Sequence, residues 1–357
     1  MRERPEFSPR KTLILGSVIL GLIIYSAYRK PPLPPNPSWS GPTMGTTYRI
    51  QIAHNPLGLK ELKALRAEIE KELETLNQAM STYIPDSEIS RFNSTTSIAP
   101  VAVSPDFLNV MAYARQLSER SGGAFDVTVG PMIELWGFGH DAWREESPPA
   151  KAIEDAAARC GSSWLTISTG GLQKAIPGLR LDLSAVAKGY AVDRLLATVK
   201  AAGCKNAYVE IGGEIAVCGK NPSSRAWTLQ LERPEYDSLP GESLRPGKIY
   251  LSDAAIATSG DYRNYFRDKG RVYSHIIDPR TGWPVTNHVA SVTVVAPLCM
   301  VADGLATTVM VMGARDGLEM IESIPQVEAL VIWRTEEGFE EIKSSGFQDI
   351  ESAAPKL

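Results

Sequence analysis

Two polar residues near the C-terminal end of the chain have the spacing of a cation site. Asp303 and Thr307 lie four residues apart in the apolar run at 300–312, so a carboxylate and a hydroxyl share one face of the predicted helix. An Asp in such surroundings is costly unless it is paired or bound to a metal. Oxygen ligands of this kind suit a hard cation such as Mg²⁺. The spacing therefore favours a functional role over simple packing.

Other polar groups interrupt apolar sequence at three further places. Asp182 and Lys188 flank the end of a predicted strand and the start of a predicted helix. Free backbone N–H groups and the Lys188 ammonium at such a helix start can bind a phosphate, whereas Asp182 or Ser184 can equally be an ordinary helix cap. Asp126 ends a glycine turn, and His275 stands in a predicted strand. A lone His is more often structural than catalytic, so both roles of His275 remain open.

Several classes of function are excluded by what the sequence lacks. The chain has no GxGxxG, GxxxxGK[ST], HExxH or GxSxG pattern, and its four histidines argue against a multi-histidine metal site. The net charge of −4 leaves no large basic excess for binding nucleic acid. No CxxC pair occurs, and isolated buried thiols are favoured over a disulfide between Cys204 and Cys218.

The first 43 residues predict a membrane anchor and a spacer. Residues 1–11 form a basic cytoplasmic N-terminus, and the uncharged run at 12–28 predicts a transmembrane helix. A cleavable signal peptide is the alternative, but the small residues fit a cleavage site poorly. Residues 29–43 are rich in proline and predict an extended linker. The distribution of Lys and Arg favours an extracytoplasmic location for the remainder.

Residues 44–350 predict one α+β domain, and 351–357 form a tail. Apolar residues three and four apart predict a long amphipathic helix over 59–80, and other helices are predicted at 105–120, 150–159, 184–202 and 300–312. Strands are predicted at 46–54, 164–168, 179–183, 226–232, 272–277, 291–295 and 327–333, with two more in 206–220 that meet at Gly212-Gly213. Because strands dominate 206–295, we expect mixed, largely antiparallel sheets packed with helices rather than a doubly wound parallel sheet.

The polar segments, taken together, resemble the ApbE family, the FAD:protein FMN transferases. The resemblance extends from Met44 to about Ile350. It is carried by MGTTY (44–48), STYIPDSEISRFN (81–93), GGAFDVTVGP (122–131), LDLSAVAKGYAVD (181–193), EIGGEI (210–215), ATSGDYRNYF (257–266), SHIIDPRTGWPV (274–285) and the ADGLATTVMVMG run ending at Gly313. So many motifs in one order are far more specific than any one of them.

The resemblance implies a Mg²⁺-dependent transferase that splits FAD, attaches FMN through a phosphoester to a Thr or Ser of an acceptor protein, and releases AMP. It implies that the metal is held by the carbonyl of Ala185 and the side chains of Asp303 and Thr307, with Ala306 adding its carbonyl. FAD contacts are implied at Met44, Tyr83, Ala124, Phe125, Asp126, Asp182, Lys188 and Ile277.

His275 is the candidate general base for the acceptor hydroxyl, because the ordinary pKa of histidine lies near working pH. Asp126 or Asp278 are alternatives, or could orient the histidine. The family also implies an acceptor within a membrane redox complex, and a catalytic domain on the periplasmic side of the bacterial inner membrane.

Two other functions remain open from the sequence. An FAD pyrophosphatase would use the same site, with water in place of the acceptor hydroxyl. A flavin-binding module without turnover has less need of a metal, so the Asp303–Thr307 pair argues against it. The stretch at 221–248 departs from the family pattern, and a surface insertion is favoured there over an acceptor-docking loop.

Overall fold

The computed structural model describes residues 34–139, 146–231, 234, 247–262 and 264–352. The chain divides into two units, Met1–Pro35 and Asn36–Leu357, and the fold below is that of the second. The basic N-terminus predicted at 1–11 and the anchor predicted at 12–28 lie outside the described residues. Within the described ranges, every helix is too short or too polar to cross a bilayer.

The fold contains fourteen strands and nine α-helices in the described ranges. The strands are β1 (Ser38–Thr43), β2 (Thr46–Ile52), β3 (Leu165–Ser168), β4 (Gly171–Lys174), β5 (Ala207–Ile211), β6 (Glu214–Cys218), β7 (Trp227–Gln230), β8 (Lys248–Leu251), β9 (Ala254–Gly260), β10 (Tyr265–Asp268), β11 (Arg271–Ser274), β12 (Val289–Ala296), β13 (Glu328–Thr335) and β14 (Gly338–Lys343). The helices are α1 (Leu59–Met80), α2 (Glu88–Ser94), α3 (Pro105–Arg120), α4 (Gly130–Leu135), α5 (Ala150–Ala157), α6 (Ala187–Ala201), α7 (Cys299–Met312), α8 (Ala314–Glu322) and α9 (Phe347–Ser352).

An eight-stranded sheet of order β1-β2-β5-β6-β9-β12-β13-β14 forms the framework, and all its neighbours pair antiparallel. Strand β12 is buried at all eight positions. Its Val292 and Val294 pack in the core that includes α1, α3, α6 and α7, whereas Val295 packs with β7, β8 and α9. Both faces of the sheet are therefore covered, which explains why even Ser291 and Thr293 of this strand are buried.

The α+β class and the largely antiparallel sheet predicted from the sequence are confirmed. The helices over 59–80 and 105–120 have the predicted bounds, and β5 and β6 meet at Gly212-Gly213. All four cysteines carry free thiols. The spacer predicted at 29–43 includes β1, which begins at Ser38 and pairs with β2. Pro42 is compatible with β1 because this is an edge strand, where a missing N–H is tolerated.

The prediction of a strand over 179–183 is wrong, because this segment forms only one bridge, between Arg180 and Val129. Hydrogen bonds from side chains hold residues 179–183 in place instead. The Asn93 amide donates to the carbonyl of Leu181 at 2.8 Å and accepts from its N–H at 2.7 Å. The Lys174 ammonium, 1 % exposed, donates to the carbonyl of Leu179 at 3.1 Å. These contacts fix the segment that leads into α6, which begins at Ala187 rather than at the predicted residue 184.

Helices α6 and α7 are joined by two carboxylates, the buried Asp303 and the half-buried Asp193. Asp193 on α6 caps the start of α7, accepting hydrogen bonds from the N–H groups of Cys299 at 2.8 Å and Met300 at 2.9 Å. Asp303 on α7 accepts from the N–H of Gly189 at 2.9 Å. A Cβ at Gly189 would lie 2.5 Å from the carbonyl oxygen of Cys299, so only glycine permits this approach. The orientation of α7, and of its polar face, therefore depends on α6.

The Asp193 cap predicts a pH-dependent stability. Burial, and the nearby charge of Asp303, raise the pKa of Asp193 to about 6. Between about pH 4 and pH 6 the folded protein keeps this proton while the unfolded chain releases it, so the free energy of unfolding falls by about 3 kcal/mol as pH rises. We expect Asp193→Asn to remove this slope in urea unfolding at a series of pH values. Asp316→Asn, at an exposed site, is the control, and an unchanged slope in Asp193→Asn would contradict the assignment.

Candidate active site

A cavity of about 200 Å³ opens where α6, α7 and the end of β9 meet. Its walls come from six parts of the chain that are distant in sequence. They are residues 124–127 with Val129 and Ile133, the entry to α6, the first residue of β6, the end of β9, the segment after β11, and one face of α7. The sheet and the two helices thus bring separate motifs to one point.

Ten of the thirteen residues that the sequence analysis assigns to the site line this cavity: Ala124, Phe125, Asp126, Asp182, Ala185, Lys188, His275, Ile277, Asp303 and Thr307. Ala306, the possible fourth metal ligand, lies in the core with its side chain fully buried. It is not among the residues that line the cavity.

Met44 and Tyr83 also lie outside the lining. Met44 and Gly45 both have positive φ, 47° and 72°, in the two-residue turn between β1 and β2. This is an uncommon conformation for a methionine and costs about 1 kcal/mol. The turn packs on the β5–β6 turn, since a Cβ at Gly212 would lie 2.8 Å from the Cγ2 atom of Thr46. Met44 is thus held beside the hairpin that carries Glu214 into the cavity wall.

Tyr83 is also absent from the lining of a second cleft, of about 340 Å³, although Thr82 and Pro85 on either side of it line that cleft. Ile133 and Asp182 line both clefts, so the two clefts adjoin. The Tyr83 side chain is 64 % exposed, so its ring is accessible. The two clefts together offer an elongated site for a ligand much larger than the first cavity.

Residues with oxygen atoms suited to a hard cation line the cavity. Asp303 is 3 % exposed and has Oδ2 bonded to Gly189, and the hydroxyl of Thr307 lies 3.2 Å from that of Ser259. Ala185 borders the same cavity. Within the described ranges there is no group of three or more His, Cys, Asp and Glu residues suited to a metal. A carboxylate, a hydroxyl and a carbonyl form a donor set that fits Mg²⁺ rather than a transition metal.

Glu214 is the main cavity residue that the sequence analysis missed. Lys188 donates to Glu214 Oε1 at 2.8 Å, and the glutamate side chain is 4 % exposed. Burial raises the pKa of Glu214, whereas the ammonium of Lys188 acts to lower it. Its Oε2 atom has no hydrogen-bond partner among the described residues. Such a buried, incompletely bonded ion pair is typical of a functional site rather than of a stabilising one. The EIGGEI motif contained this signal, because the tight Gly-Gly turn directly precedes the glutamate.

His275 is oriented by a backbone carbonyl. Its Nδ1 lies 3.0 Å from the carbonyl oxygen of Asn264, which also accepts the His275 N–H at 3.0 Å. A carbonyl can only accept, so the neutral imidazole carries its hydrogen on Nδ1. The lone pair is therefore on Nε2. This is the tautomer that a general base at Nε2 requires.

The two carboxylates considered as alternatives to His275 have other partners. Asp278 binds the guanidinium of Arg280, with Oδ2 at 2.8 Å from Nη2. Asp126 accepts from the N–H and hydroxyl of Thr128 and from the N–H of Ser162. Both residues thus hold loops in place, and the group that orients His275 is the Asn264 carbonyl. Asp182 accepts from the N–H of Ser184 at 2.9 Å in a local turn at the cavity wall. Neither residue caps α6, because the N-cap of this helix is Val186 and no side chain caps it.

Comparison with known sequences identifies the family. A sequence profile of the ApbE family matches residues 44–331. The FAD:protein FMN transferase of Vibrio cholerae is 47 % identical over 310 residues, covering 87 % of this chain and 91 % of the relative. The FAD:protein FMN transferase of Haemophilus influenzae is 40 % identical over 318 residues, covering 88 % and 91 %.

Comparison with solved structures identifies the same family. The flavin transferase ApbE from Vibrio cholerae has a TM-score of 0.80 at 44 % identity, covering 88 % of this chain and 99 % of that one. The apo form of the Pseudomonas stutzeri flavinyl transferase ApbE also has a TM-score of 0.80, at 35 % identity, covering 90 % and 98 %. The match in sequence and fold, over most of both chains, shows that this chain belongs to the ApbE family.

Proposed function

We propose that the chain is a Mg²⁺-dependent FAD:protein FMN transferase, which moves FMN from FAD to a Thr or Ser of an acceptor protein and releases AMP. One observation carries the proposal. In a chain of the ApbE family, Lys188, Asp303, Thr307 and His275 converge on one cavity. A phosphate ligand, a hard cation and a base for a hydroxyl are the groups that transfer at a pyrophosphate requires.

FAD is elongated, and two adjoining clefts support its binding across their shared boundary at Asp182 and Ile133. In this proposal its pyrophosphate lies near Lys188, at the start of α6. The exposed ring of Tyr83 and the side chain of Met44 suit flat contact with adenine or the flavin ring. Lys188 then exchanges part of its contact with Glu214 for the phosphate oxygens.

Asp303, Thr307 and the carbonyl of Ala185 would hold Mg²⁺, with the Ala306 carbonyl as the weaker assignment because it lies outside the cavity lining. The ion would supply charge neutralisation at the pyrophosphate. The protein itself contributes a rigid arrangement of these ligands. Asp303 is held by Gly189 and α7 is capped by Asp193, so the ligands are placed before substrate arrives.

His275 is the proposed base. Its Nε2 takes the proton from the acceptor hydroxyl, whose oxygen then forms a bond to the FMN phosphorus. The bond from that phosphorus to the bridging oxygen breaks, and AMP leaves with the bridging oxygen. The Asn264 carbonyl keeps Nδ1 protonated and the ring oriented throughout. This is general-base catalysis joined to positioning, without a covalent enzyme intermediate.

The location is also part of the proposal. The uncharged run at 12–28 would anchor the chain in the bacterial inner membrane by a single pass, with the catalytic domain in the periplasm. The acceptor would then be a subunit of a membrane redox complex. The sequence motivation is the basic flank before the run and the proline-rich segment after it.

The function is tested by the mass of candidate acceptors. Incubation of the purified protein with FAD, Mg²⁺ and an acceptor should add one FMN covalently to a Thr or Ser, with an equal amount of AMP. Intact-mass analysis and peptide mapping measure the adduct. Free FMN and AMP formed equally without acceptor would instead indicate a pyrophosphatase, and unchanged FAD would indicate a binding module.

Asp303→Asn tests the metal ligands, because the amide can still accept from Gly189 while the charge is lost. We expect Mg²⁺ affinity to fall by more than about 10-fold, with a parallel loss of transfer. Calorimetric Mg²⁺ titration measures binding independently of turnover. Asp316→Asn is the matched control, and equal Mg²⁺ affinity in the two variants would remove Asp303 from the metal site.

His275→Asn tests the base. We expect transfer to fall by about 10²- to 10⁴-fold with unchanged FAD affinity, since the proton acceptor is lost but the binding surface remains. His54→Asn is the control at an exposed histidine whose positive φ asparagine tolerates. A variant that keeps its rate but loses FAD affinity would show that His275 binds substrate instead.

A further inference from the structure

A wide groove of about 640 Å³ lies behind the segment that carries His275. One wall consists of Arg271, Val272 and Tyr273 in β11, and the other of residues 283–287. Successive residues of a strand point to opposite faces, so three in a row can line a groove only along the backbone edge of the strand. The groove therefore follows the edge of β11 rather than a face of the small sheet.

The two walls are the two arms of one hairpin, and the arms diverge beyond the contact between Ile276 and Val285. The N–H of Val285 donates to the carbonyl of Ile276, and Ile277 bridges Pro284. Beyond this point β11 pairs with β10 in a two-stranded sheet, whereas the other arm leads into β12 of the large sheet. Among the described strands, only β10 pairs with β11. The groove between the arms thus lies along an edge of β11 that pairs with no other described strand.

The gap ends at the catalytic cavity. His275 directly follows β11, and the hairpin residues Ile276 and Ile277 line the cavity on their other side. Val311 of α7 lines both the groove and the cavity. The groove wall is also held rigidly, since the Asn287 amide donates to the carbonyls of Met310 and Val311. A chain segment lying in the groove would therefore run toward His275 in a preformed site.

Exposed apolar side chains concentrate here. Of the eight large exposed hydrophobic residues in the described ranges, three fall within 265–283, namely Tyr265, Val272 and Trp283. Val272 is 46 % exposed and Trp283 40 % exposed, and both line the groove. Trp283 also packs on the buried Trp136, with ring centroids 5.4 Å apart, so it presents a fixed surface. Clustered exposed apolar groups beside a site indicate a surface for a protein partner.

We infer that this groove docks the acceptor protein, whose Thr- or Ser-bearing segment lies extended along β11 with its hydroxyl at His275. The inference rests on the proposed function, because a transferase acting on a protein needs a polypeptide surface next to its base. Main-chain hydrogen bonds to the β11 edge would give affinity, and Val272 and Trp283 would receive apolar side chains of the segment.

Steady-state transfer by the full-length enzyme to the acceptor found in the mass experiment tests the docking site. Val272→Asp places a charge on one wall and Thr286→Arg a bulky cation on the other, both at exposed positions that leave the core intact. We expect each variant to raise the acceptor KM by about 10-fold or more, with FAD affinity unchanged by flavin fluorescence. A synthetic peptide spanning the modified residue should show the same increase.

Ile98→Asp and Thr166→Arg make the same changes at exposed positions outside the clefts described above, and should leave the acceptor KM unaltered. An acceptor KM in Val272→Asp and Thr286→Arg equal to that of these controls would overturn the docking assignment while leaving the transferase intact. An unaltered enzyme that transfers nothing would overturn the proposed function, and the docking site with it. The two failures are therefore distinguishable.

Discussion

The close approach of α6 and α7 is the contact on which the site depends. At Gly189 the backbones are so near that any side chain would collide with the carbonyl of Cys299. This approach lets Asp303 accept from the Gly189 N–H and Asp193 accept from the first turn of α7. The buried Asp303 and the half-buried Asp193 thus receive backbone donors, which offsets the cost of removing their carboxylates from water. Lys188 is consequently presented on the same cavity as Asp303.

The charges around the cavity are balanced locally rather than by the whole chain. The net charge of −4 would not attract an anionic ligand, and Asp303 and Glu214 add negative charge near the proposed pyrophosphate site. Lys188 opposes them at 2.8 Å from Glu214. A hard cation at Asp303 and Thr307 would complete this balance. Short-range groups in a partly buried site outweigh a diffuse net charge, because screening and water weaken the latter.

The segment from His275 to Asn287 has two faces with separate proposed roles. One face lines the cavity and bears the imidazole, which Asn264 orients. The other lines the groove that we infer receives the acceptor. The Asn287 amide fixes this segment to the end of α7, the helix that carries Asp303. Such a rigid link would hold the bound acceptor at a constant position relative to the metal site, with no conformational change required.

The sequence by itself determined the elements that depend on local pattern. The helix over 59–80, the Gly-Gly hairpin and the shared face of Asp303 and Thr307 follow from periodicity and turn chemistry. The site residues were assigned mainly from the resemblance to the ApbE family, and ten of the thirteen line one cavity. Only the tertiary structure decided which distant residues pair with one another in the site. Lys188 meets Glu214 across 26 positions, and Asp193 caps a helix that starts 106 positions away. Such pairs carry no local signal, because their proximity results from strand order and helix packing, which place distant backbone at hydrogen-bond range.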